Sequence, residues 1–277
     1  MSANTTRTYV ISGAASGIGL ALVTRLLGSH GNIRIVGIDL TDCPDPRVES
    51  VRCDLSDPDA IASLDLPTRI DGLANVAGVP GTAPAELVLA VNTLGARALT
   101  ARALGSMESG ASVVNVSSIA AHRNTLPSNA IDELLAVTDR NGLSGWLTRH
   151  RLDGPAAYDT SKRALTDWTV LLSADLLSRG IRVNSVSPGP TETPILSDYE
   201  ESMGIDAIAR SAGAVGRHGT AAESAAAVDF LLSDGASWIN GVDIPVEGGL
   251  TALRAAAQRP AVVAPDNTST PVKGALR

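Results

Sequence analysis

The chain has 277 residues, of which 44% are hydrophobic and 3% aromatic, and its formal net charge is -7. These values suit a globular protein with a core of Leu, Val, Ile and Ala, and the acidic balance argues against a nucleic-acid partner, which needs a concentrated basic surface. The polar first residues and the absence of about 18 consecutive apolar residues predict a cytoplasmic protein without a signal peptide or a membrane span. Cys43 and Cys53 are then expected to be free thiols, and the spacing of the four histidines predicts no metal site.

Short apolar segments alternate with helical patterns along most of the chain. The segments are rich in β-branched residues and end in small ones, as buried strands do. They cover residues 8–12, 34–39, 72–78, 112–118, 181–189 and 239–249, and the helical patterns cover 17–29, 84–107, 157–179 and 221–233. This order predicts an α/β fold, a doubly wound and mostly parallel sheet of the Rossmann type with helices on both faces. No linker interrupts the alternation, so we expect one domain over residues 1–254.

A glycine-rich sequence, SGAASGIG (12–19), follows the first predicted strand and opens the first predicted helix. Glycine lets the backbone turn tightly and lets a pyrophosphate approach, while the start of a helix offers unpaired N–H groups. The glycine pattern alone is weak, but its strand–turn–helix setting is the one that a dinucleotide-binding fold requires. The loop residues expected to contact the cofactor are Gly13, Ser16, Gly17, Ile18 and Gly19.

Asp39 ends the second predicted strand, 20 residues after Gly19. A carboxylate at this position can accept hydrogen bonds from the adenosine ribose of NAD and would repel the 2′-phosphate of NADP. Because its neighbours Ile38 and Leu40 are not basic, the sequence favours NAD as the cofactor.

Two short motifs, CDL (53–55) and NVAG (75–78), stand at the ends of the next strands. Ligands of open α/β sheets bind beyond the carboxyl ends of strands, so Asp54 is expected near the adenine and Asn75 near the ribose. Taken singly, each residue fits an ordinary polar group at a strand end better than a cofactor contact. The residues expected to contact the cofactor here are Asp54, Leu55, Asn75, Ala77 and Gly78.

Two regions do not fit the alternation. Residues 119–156 are too long for an ordinary connection and are interpreted as an insertion, in which residues 128–142 have a helical period with Gly142 as the expected end. Residues 255–277 are rich in Ala, Pro and Thr, which predicts a flexible tail.

The sequence YDTSK (158–162) places a tyrosine four residues before a lysine, so that on a helix Tyr158 and Lys162 share one face. A phenol keeps its proton to about pH 10, and a neighbouring ammonium favours the phenolate. Alone, the pair could be two surface side chains. However, the motifs SGAASGIG, NVAG, VNTLG, NVSS, YDTSK and SPGPTETP occur in an order that resembles the short-chain dehydrogenase/reductase family over residues 8–252.

The resemblance implies a catalytic set of Asn92, Ser118, Tyr158 and Lys162. Tyr158 would exchange a proton with the substrate oxygen, and Lys162 would stabilise its phenolate. Ser118 would hydrogen-bond that oxygen, and Asn92 would hold a water and the backbone behind Lys162. Neighbouring Ser117 is expected to be structural.

The stretch SPGPTETP is expected to turn back over the nicotinamide, with cofactor contacts from Pro188, Gly189, Thr191 and Thr193. Residues 190–213 carry apolar side chains and are interpreted as a mobile lid over the substrate, with a plain surface helix as the alternative.

The expected substrate contacts, besides Ser118 and Tyr158, are Trp146 of the insertion and Ile195 and Tyr199 of the lid. Trp146 could instead anchor the insertion. The sequence does not single out a basic residue that would bind a substrate carboxylate. Three arginines stay open as candidates for that role: Arg123, Arg149 and Arg151. A neutral cyclic or aromatic alcohol, of steroid, terpene or aryl type, is therefore favoured.

The leading hypothesis is an NAD-dependent alcohol dehydrogenase or ketone reductase that forms a homodimer or homotetramer. One alternative is a carbonyl or quinone reductase that uses NADH. Another is a nucleotide-binding scaffold without turnover, which the presence of both Tyr158 and Lys162 argues against. The insertion, AGVPGT (77–82) and WINGVDIPVEGGL (238–250) are similar to bacterial family members that act on hydroxysteroids or coniferyl alcohol.

Overall fold

The computed structural model describes residues 6–193 and 205–258, and its centre is a sheet of seven parallel strands. In chain order these are β1 (Arg7–Ser12), β2 (Ile33–Asp39), β3 (Glu49–Arg52), β4 (Ile70–Asn75), β5 (Met107–Val116), β6 (Arg182–Pro188) and β9 (Asp243–Val246). Two short strands, β7 (Thr191–Glu192) and β8 (Gly219–Thr220), form a separate parallel pair. The strand order β3-β2-β1-β4-β5-β6-β9 confirms the predicted doubly wound sheet.

Helices and single turns connect the strands. The helices are α1 (Gly17–Ser29), α2 (Pro58–Ala62), α3 (Ala85–Leu89), α4 (Ala96–Leu104), α5 (Ser128–Ala136), α6 (Arg140–His150), α7 (Gly154–Asp175), α8 (Ile205–Val215), α9 (Ala221–Leu232) and α10 (Leu250–Ala257). A π-helical turn (Ala90–Gly95) joins α3 to α4, and 3₁₀ turns cover Ile119–Arg123, Leu177–Arg179 and Asp234–Ala236. The predicted helix over 84–107 is thus interrupted by a π turn, and the one over 157–179 starts earlier and ends in a 3₁₀ turn.

The strands are apolar on both faces because each face is covered by helices. Val10 of β1 belongs to a core with Leu99 of α4, whereas the next residue, Ile11, belongs to a second core with Leu22 of α1 and Leu231 of α9. Alternate side chains of a strand point to opposite faces, so a strand buried on both faces reads as a continuous apolar segment. This is the physical reason that the segments could be recognised in the sequence.

The insertion is two helices rather than the single predicted one. Helix α5 ends at Ala136, and Asp139 begins α6 as its N-cap, where its side chain accepts a hydrogen bond of 2.8 Å from the backbone N–H of Gly142. Gly142 therefore lies in the first turn of α6, and the prediction that it ends a helix is wrong. An aspartate three residues before a helical N–H is a strong start signal, which outweighs the glycine.

The insertion packs against α3 and α7 through a third apolar core. This core contains Leu89 of α3, Leu134 of α5, Leu143 and Trp146 of α6, and Ala157 of α7. The insertion is thus built onto the main fold and stabilises the start of the helix that carries Tyr158.

Three further sequence expectations meet the structure here. Cys43 and Cys53 are free, as expected. Residues 255–257, assigned to the tail, are the end of α10, and residues 259–277 lie outside the described part. By length and composition, Ala85–Leu104 would be apolar enough to cross a membrane, but most of it is buried within the protein, as in a core helix.

Candidate active site

A cavity of about 620 Å³ opens at the carboxyl ends of the strands. The sheet order reverses between β1 and β4, and the loops after these two strands separate to leave a crevice, which is where ligands bind in open α/β sheets. Its lining runs from the glycine-rich turn after β1, past the ends of β2, β4 and β5, to the segment after β6.

The glycine-rich turn is shaped by close backbone contacts. Gly13 has φ +72°, and a Cβ atom on it would lie 2.8 Å from the backbone nitrogen of Ala77. A Cβ on Gly19 would lie 2.0 Å from the carbonyl oxygen of Gly13. Glycine is therefore required at both positions for α1 to start directly against the strand ends.

Asp39 is fixed at one end of this cavity. Its carboxylate accepts hydrogen bonds from the backbone N–H of Ala15, at 3.0 Å, and of Leu40, at 2.7 Å. The residue therefore ties β2 to the glycine-rich turn, and the cavity wall at this end carries negative charge. Asp54, the other carboxylate of the cavity lining, accepts from the backbone N–H of Ser56 at 2.8 Å.

Nearly all of the predicted cofactor residues meet at the cavity. Besides Tyr158 and Lys162, they are Gly13, Ser16, Gly17, Ile18, Gly19, Asp39, Asp54, Leu55, Ala77, Gly78, Pro188, Gly189, Thr191 and Thr193. Asn75 is the exception. Its side-chain amide is buried and donates hydrogen bonds of 2.8 Å to Thr100 and to Asn115, so it links the sheet to α4 and does not line the cavity.

Tyr158 and Lys162 lie together on α7, one turn apart, as predicted. The Lys162 Nζ atom is 5.6 Å from the centroid of the Tyr158 ring, and both side chains line the cavity. Lys162 is only 4% exposed, and its ammonium donates a hydrogen bond of 2.9 Å to the carbonyl oxygen of Val116 at the end of β5. Burial lowers the pKa of Lys162 to about 8, because an ammonium loses hydration inside the protein.

Asn92 lies in the π turn between α3 and α4, a type of helix irregularity often found at functional sites. Its Oδ1 accepts from the backbone N–H of Val79 at 2.8 Å, and its Nδ2 donates to the carbonyl oxygen of Val79 at 3.0 Å and to Ser161 Oγ at 3.2 Å. A Cβ added to Gly78 would lie 3.2 Å from Asn92 Oδ1 and 3.6 Å from Lys162 Nζ. The absent side chain of Gly78 thus leaves a gap flanked by these two polar groups.

Ser118 follows β5 and caps the 3₁₀ turn after it. Its Oγ accepts a hydrogen bond of 3.1 Å from the backbone N–H of Ala120 and borders the cavity with Tyr158. Ser117 instead donates to the carbonyl oxygen of Lys162 at 2.9 Å, so its hydroxyl holds α7 against the sheet. The two adjacent serines therefore have different partners.

The predicted substrate contacts are only partly reproduced. Trp146 is fully buried within the insertion, where its indole N–H donates to the carbonyl oxygen of Ala130 at 3.1 Å and its ring stacks on His150. It does not line the cavity, and its position in the third core matches the alternative that it anchors the insertion. Ile195 and Tyr199 lie outside the described residues.

Three arginines border the cavity. One of them, Arg123, is among the three that the sequence left open as partners of a substrate carboxylate. Arg123 forms a two-point ion pair with Asp159 on α7, with N–O distances of 2.6 and 3.2 Å. Arg210 of α8 and Arg254 of α10 were missed, as were the apolar Leu250 and Leu253 of α10. Leu250, Leu253 and Arg254 belong to the helix after the last strand, whereas Arg210 lies within residues 190–213, the segment interpreted from the sequence as a lid over the substrate.

Two family models match the chain, one described as "short chain dehydrogenase" over residues 7–130 and one described as "Enoyl-(Acyl carrier protein) reductase" over residues 143–251. The coniferyl-alcohol dehydrogenase of Pseudomonas sp. (strain HR199 / DSM 7063) is 36% identical over 250 residues, which cover 89% of this chain and 97% of the relative. The 3-alpha-hydroxysteroid dehydrogenase/carbonyl reductase of Comamonas testosteroni is 32% identical over 263 residues, which cover 88% of this chain and 96% of the relative.

The fold agrees with these matches. A crystal structure of the 3-alpha-hydroxysteroid dehydrogenase from Pseudomonas sp. B-0831, complexed with NADH, superposes with a TM-score of 0.77 at 33% identity and covers 91% of this chain and 100% of that chain. The chain is thus a Rossmann-type oxidoreductase. It belongs to the short-chain dehydrogenase/reductase family, and the resemblance found in the sequence is confirmed.

The burial of Lys162 leads to a prediction about stability. Its folded pKa of about 8 lies below the value of about 10.4 for an unfolded lysine. Between these pH values the unfolded chain binds more protons, so this group makes the protein more stable as the pH rises from about 8 to 10. We expect Lys162→Met to raise the free energy of unfolding at pH 7 by about 1–2 kcal/mol, because the gain from removing a buried charge exceeds the loss of the bond to Val116.

Urea unfolding at about pH 7 and pH 9.5 measures this effect, and the difference from the wild type should shrink at the higher pH. Arg163→Met is the matched control, since Arg163 is the next residue of α7 and forms a surface ion pair with Asp167. A Lys162→Met protein that is less stable than the wild type at pH 7 would contradict the prediction.

Proposed function

We propose that the protein transfers a hydride between NAD and a neutral secondary or benzylic-type alcohol with a cyclic or aromatic body, or the corresponding ketone or aldehyde. One observation carries the proposal: the Tyr158–Lys162 pair borders the same cavity as the glycine-rich turn and Asp39. A proton-transfer group and a dinucleotide-type loop in one crevice are what such a reaction needs.

The residues present fit a dinucleotide. The glycine-rich turn leads directly into α1, whose first turn carries no acidic side chain that would repel a phosphate. Asp39 offers a fixed carboxylate to a ribose, and Thr193 Oγ1 is buried without a hydrogen-bond partner among the described residues, so a carboxamide or pyrophosphate could satisfy it. When bound, the nicotinamide supplies the hydride acceptor or donor.

The protein's own groups would manage the proton and the substrate oxygen. Tyr158, as phenolate, would take the hydroxyl proton while the carbinol carbon loses its hydride, and the ammonium of Lys162 would stabilise that phenolate. Ser118 would hydrogen-bond the same oxygen and keep it near the phenol. In the reverse direction the phenol donates this proton to a carbonyl oxygen, so a carbonyl or quinone reductase using NADH is the second candidate.

The substrate class follows from the cavity wall beyond Ser118 and Tyr158. Apolar side chains of the lining include Ile119, Leu250 and Leu253. Of the three arginines that border the cavity, Arg123 is engaged with Asp159, Arg254 contacts Ser211, and Arg210 lies on α8. Such a wall suits an apolar ring. The relatives named for coniferyl alcohol and for a hydroxysteroid support this proposal.

Replacing the proposed base tests the function. We expect the wild type to reduce NAD with a panel of ring alcohols, measured by absorbance at 340 nm, and Tyr158→Phe to lower kcat by about 100-fold or more, because the phenol oxygen is lost. Tyr9→Phe is the control, since Tyr9 is a buried tyrosine of β1 outside the cavity, and it should keep the activity. Equal rates for Tyr158→Phe and the wild type would refute the assignment.

The choice of cofactor depends on Asp39. We expect kcat/KM to be at least about tenfold higher with NAD than with NADP, because the carboxylate repels a 2′-phosphate. Asp39→Asn removes the charge and keeps an oxygen that can accept from the N–H of Ala15, so the glycine-rich turn should stay intact. The ratio of kcat/KM with NAD to kcat/KM with NADP should therefore fall in this variant. Asp54→Asn should leave the ratio nearly unchanged. A wild-type preference for NADP would show that the interpretation of Asp39 is wrong.

We propose further that the protein is a cytoplasmic homodimer or homotetramer. Exposed apolar side chains support association with a second copy: Trp238 is 99% exposed, and the adjacent Val170 and Leu171 on α7 are half-exposed. Contact with a second copy would remove these side chains from water. Light scattering should give a mass of two or four times 28.3 kDa, and Trp238→Arg should lower it if Trp238 is buried between copies. A monomeric wild type would contradict the proposal.

A further inference from the structure

The residues between Tyr158 and Lys162 each contact another part of the site. Asp159 and Thr160 reach the end of the turn that follows Ser118, and Ser161 reaches the π turn. The bonded pairs are Asp159 with Arg123, Thr160 with Asn124, and Ser161 with Asn92. Thr160 and Ser161 are both buried, and of the three residues only Ser161 contacts a side chain of the predicted catalytic set.

The hydroxyl of Ser161 has its directions fixed by two hydrogen bonds. It donates its one proton to the backbone carbonyl oxygen of Tyr158, at 2.7 Å, and accepts from Asn92 Nδ2, at 3.2 Å. Because the proton is already used, Ser161 can only accept from Asn92. The same hydroxyl therefore joins the helix turn that carries Tyr158 to the amide of Asn92.

Asn92 has no spare donor when this bond is made. One Nδ2 proton goes to the carbonyl oxygen of Val79 and the other to Ser161, while Oδ1 faces the N–H of Val79. Oδ1 and Lys162 Nζ both lie close to Gly78, since a Cβ atom there would be 3.2 Å from the first and 3.6 Å from the second. The two bonds to Val79 set which end of the amide lies near Gly78 and Lys162, and the bond to Ser161 holds the remaining Nδ2 proton.

We propose that Ser161 is a positioning residue that fixes the Asn92 amide, and through it the surroundings of Lys162, for proton transfer by Tyr158. This proposal rests on the proposed function. With alanine at position 161, one Nδ2 proton of a side chain that is 1% exposed would lose its acceptor. A buried donor without an acceptor is unfavourable, so the amide would shift to find another partner and would strain its two bonds to Val79.

The central experiment measures, at 340 nm, the rate of the first turnover of NAD reduction with NAD and alcohol both saturating, and steady-state rates at several concentrations of each ligand give the two KM values. Ser161→Ala should lower this rate by about tenfold, which is the effect of one lost hydrogen bond, with KM for both ligands nearly unchanged because Ser161 does not line the cavity. The pH at which the rate is half-maximal should rise, because a less ordered lysine environment stabilises the phenolate less well.

Ser173→Ala is the matched control. Ser173 lies on the same helix, is also buried, and donates the same kind of bond, of 2.7 Å, to the carbonyl oxygen three residues earlier. We expect Ser173→Ala to keep the wild-type rate and pH profile. An equal loss in both variants would mean that the effect comes from the helix rather than from Asn92, and would overturn the proposal.

A second background tests the route through Asn92. Adding Ser161→Ala to Asn92→Ala should cause no further loss of rate, because the positioned group is already absent. A further tenfold loss in that background would show that Ser161 acts independently of Asn92. If Ser161→Ala does not fold, the pair Ser161→Thr and Ser161→Val replaces it, and the rate should be retained only by the variant with a hydroxyl.

A readout without substrate separates this proposal from the proposed function. The side-chain amide signal of Asn92 in a ¹⁵N-labelled protein, assigned by its loss in Asn92→Ala, should shift and exchange faster in Ser161→Ala than in Ser173→Ala. If no alcohol is turned over but this shift occurs, the proposed function fails while the positioning contact stands. An unchanged Asn92 signal in Ser161→Ala would overturn the positioning role itself.

Discussion

The site depends on a lysine that is buried without a carboxylate next to it among the described residues. The ammonium of Lys162 is held by the carbonyl oxygen of Val116, and burial lowers its pKa to about 8. Inside the protein the field of this ammonium is weakly screened, and in the proposed function it would favour the phenolate of Tyr158, whose ring centroid is 5.6 Å from Nζ. A surface lysine at the same spacing would have a much weaker effect.

The parallel sheet explains how so many separate segments meet at this lysine. All strand ends of one kind lie at one edge, so the end of β5 supplies both the Val116 carbonyl and Ser118, and the end of β4 supplies Gly78. Helix α7 returns along the sheet, fixed by the bond from Ser117 to the Lys162 carbonyl, and brings Tyr158 to the same edge. Chemical and cofactor-binding groups are therefore held by the rigid part of the fold rather than by long loops.

The parts of the site that could be predicted from the sequence are those that depend on a few consecutive residues. Strand ends, the glycine-rich turn and the tyrosine–lysine spacing are each contained within a few residues, and the structure brings them together. The errors concern side chains whose direction is set by distant packing. Trp146 is turned inward by the core between α3, α6 and α7, and Asn75 by its acceptors on α4 and β5. The break between α5 and α6 has a local signal, the N-cap Asp139, but the prediction gave more weight to Gly142 as the end of a helix.

The sequence between the tyrosine and the lysine shows why a helix suits this chemistry. A helix fixes the i,i+4 pair on one face, and the intervening residues then point to other sides, where they can contact different neighbours. Asp159 points to a different side of α7 from Tyr158 and binds Arg123 on the cavity wall. Burial raises the pKa of Asp159, and the guanidinium of Arg123 opposes that rise and favours the carboxylate. This ion pair connects the 3₁₀ turn after Ser118 to α7 at the residue after Tyr158. The hydroxyls of Ser118 and Tyr158, which would share the substrate oxygen, therefore lie on two elements that are held together. The segment therefore carries the proposed reacting groups and also contacts that orient them.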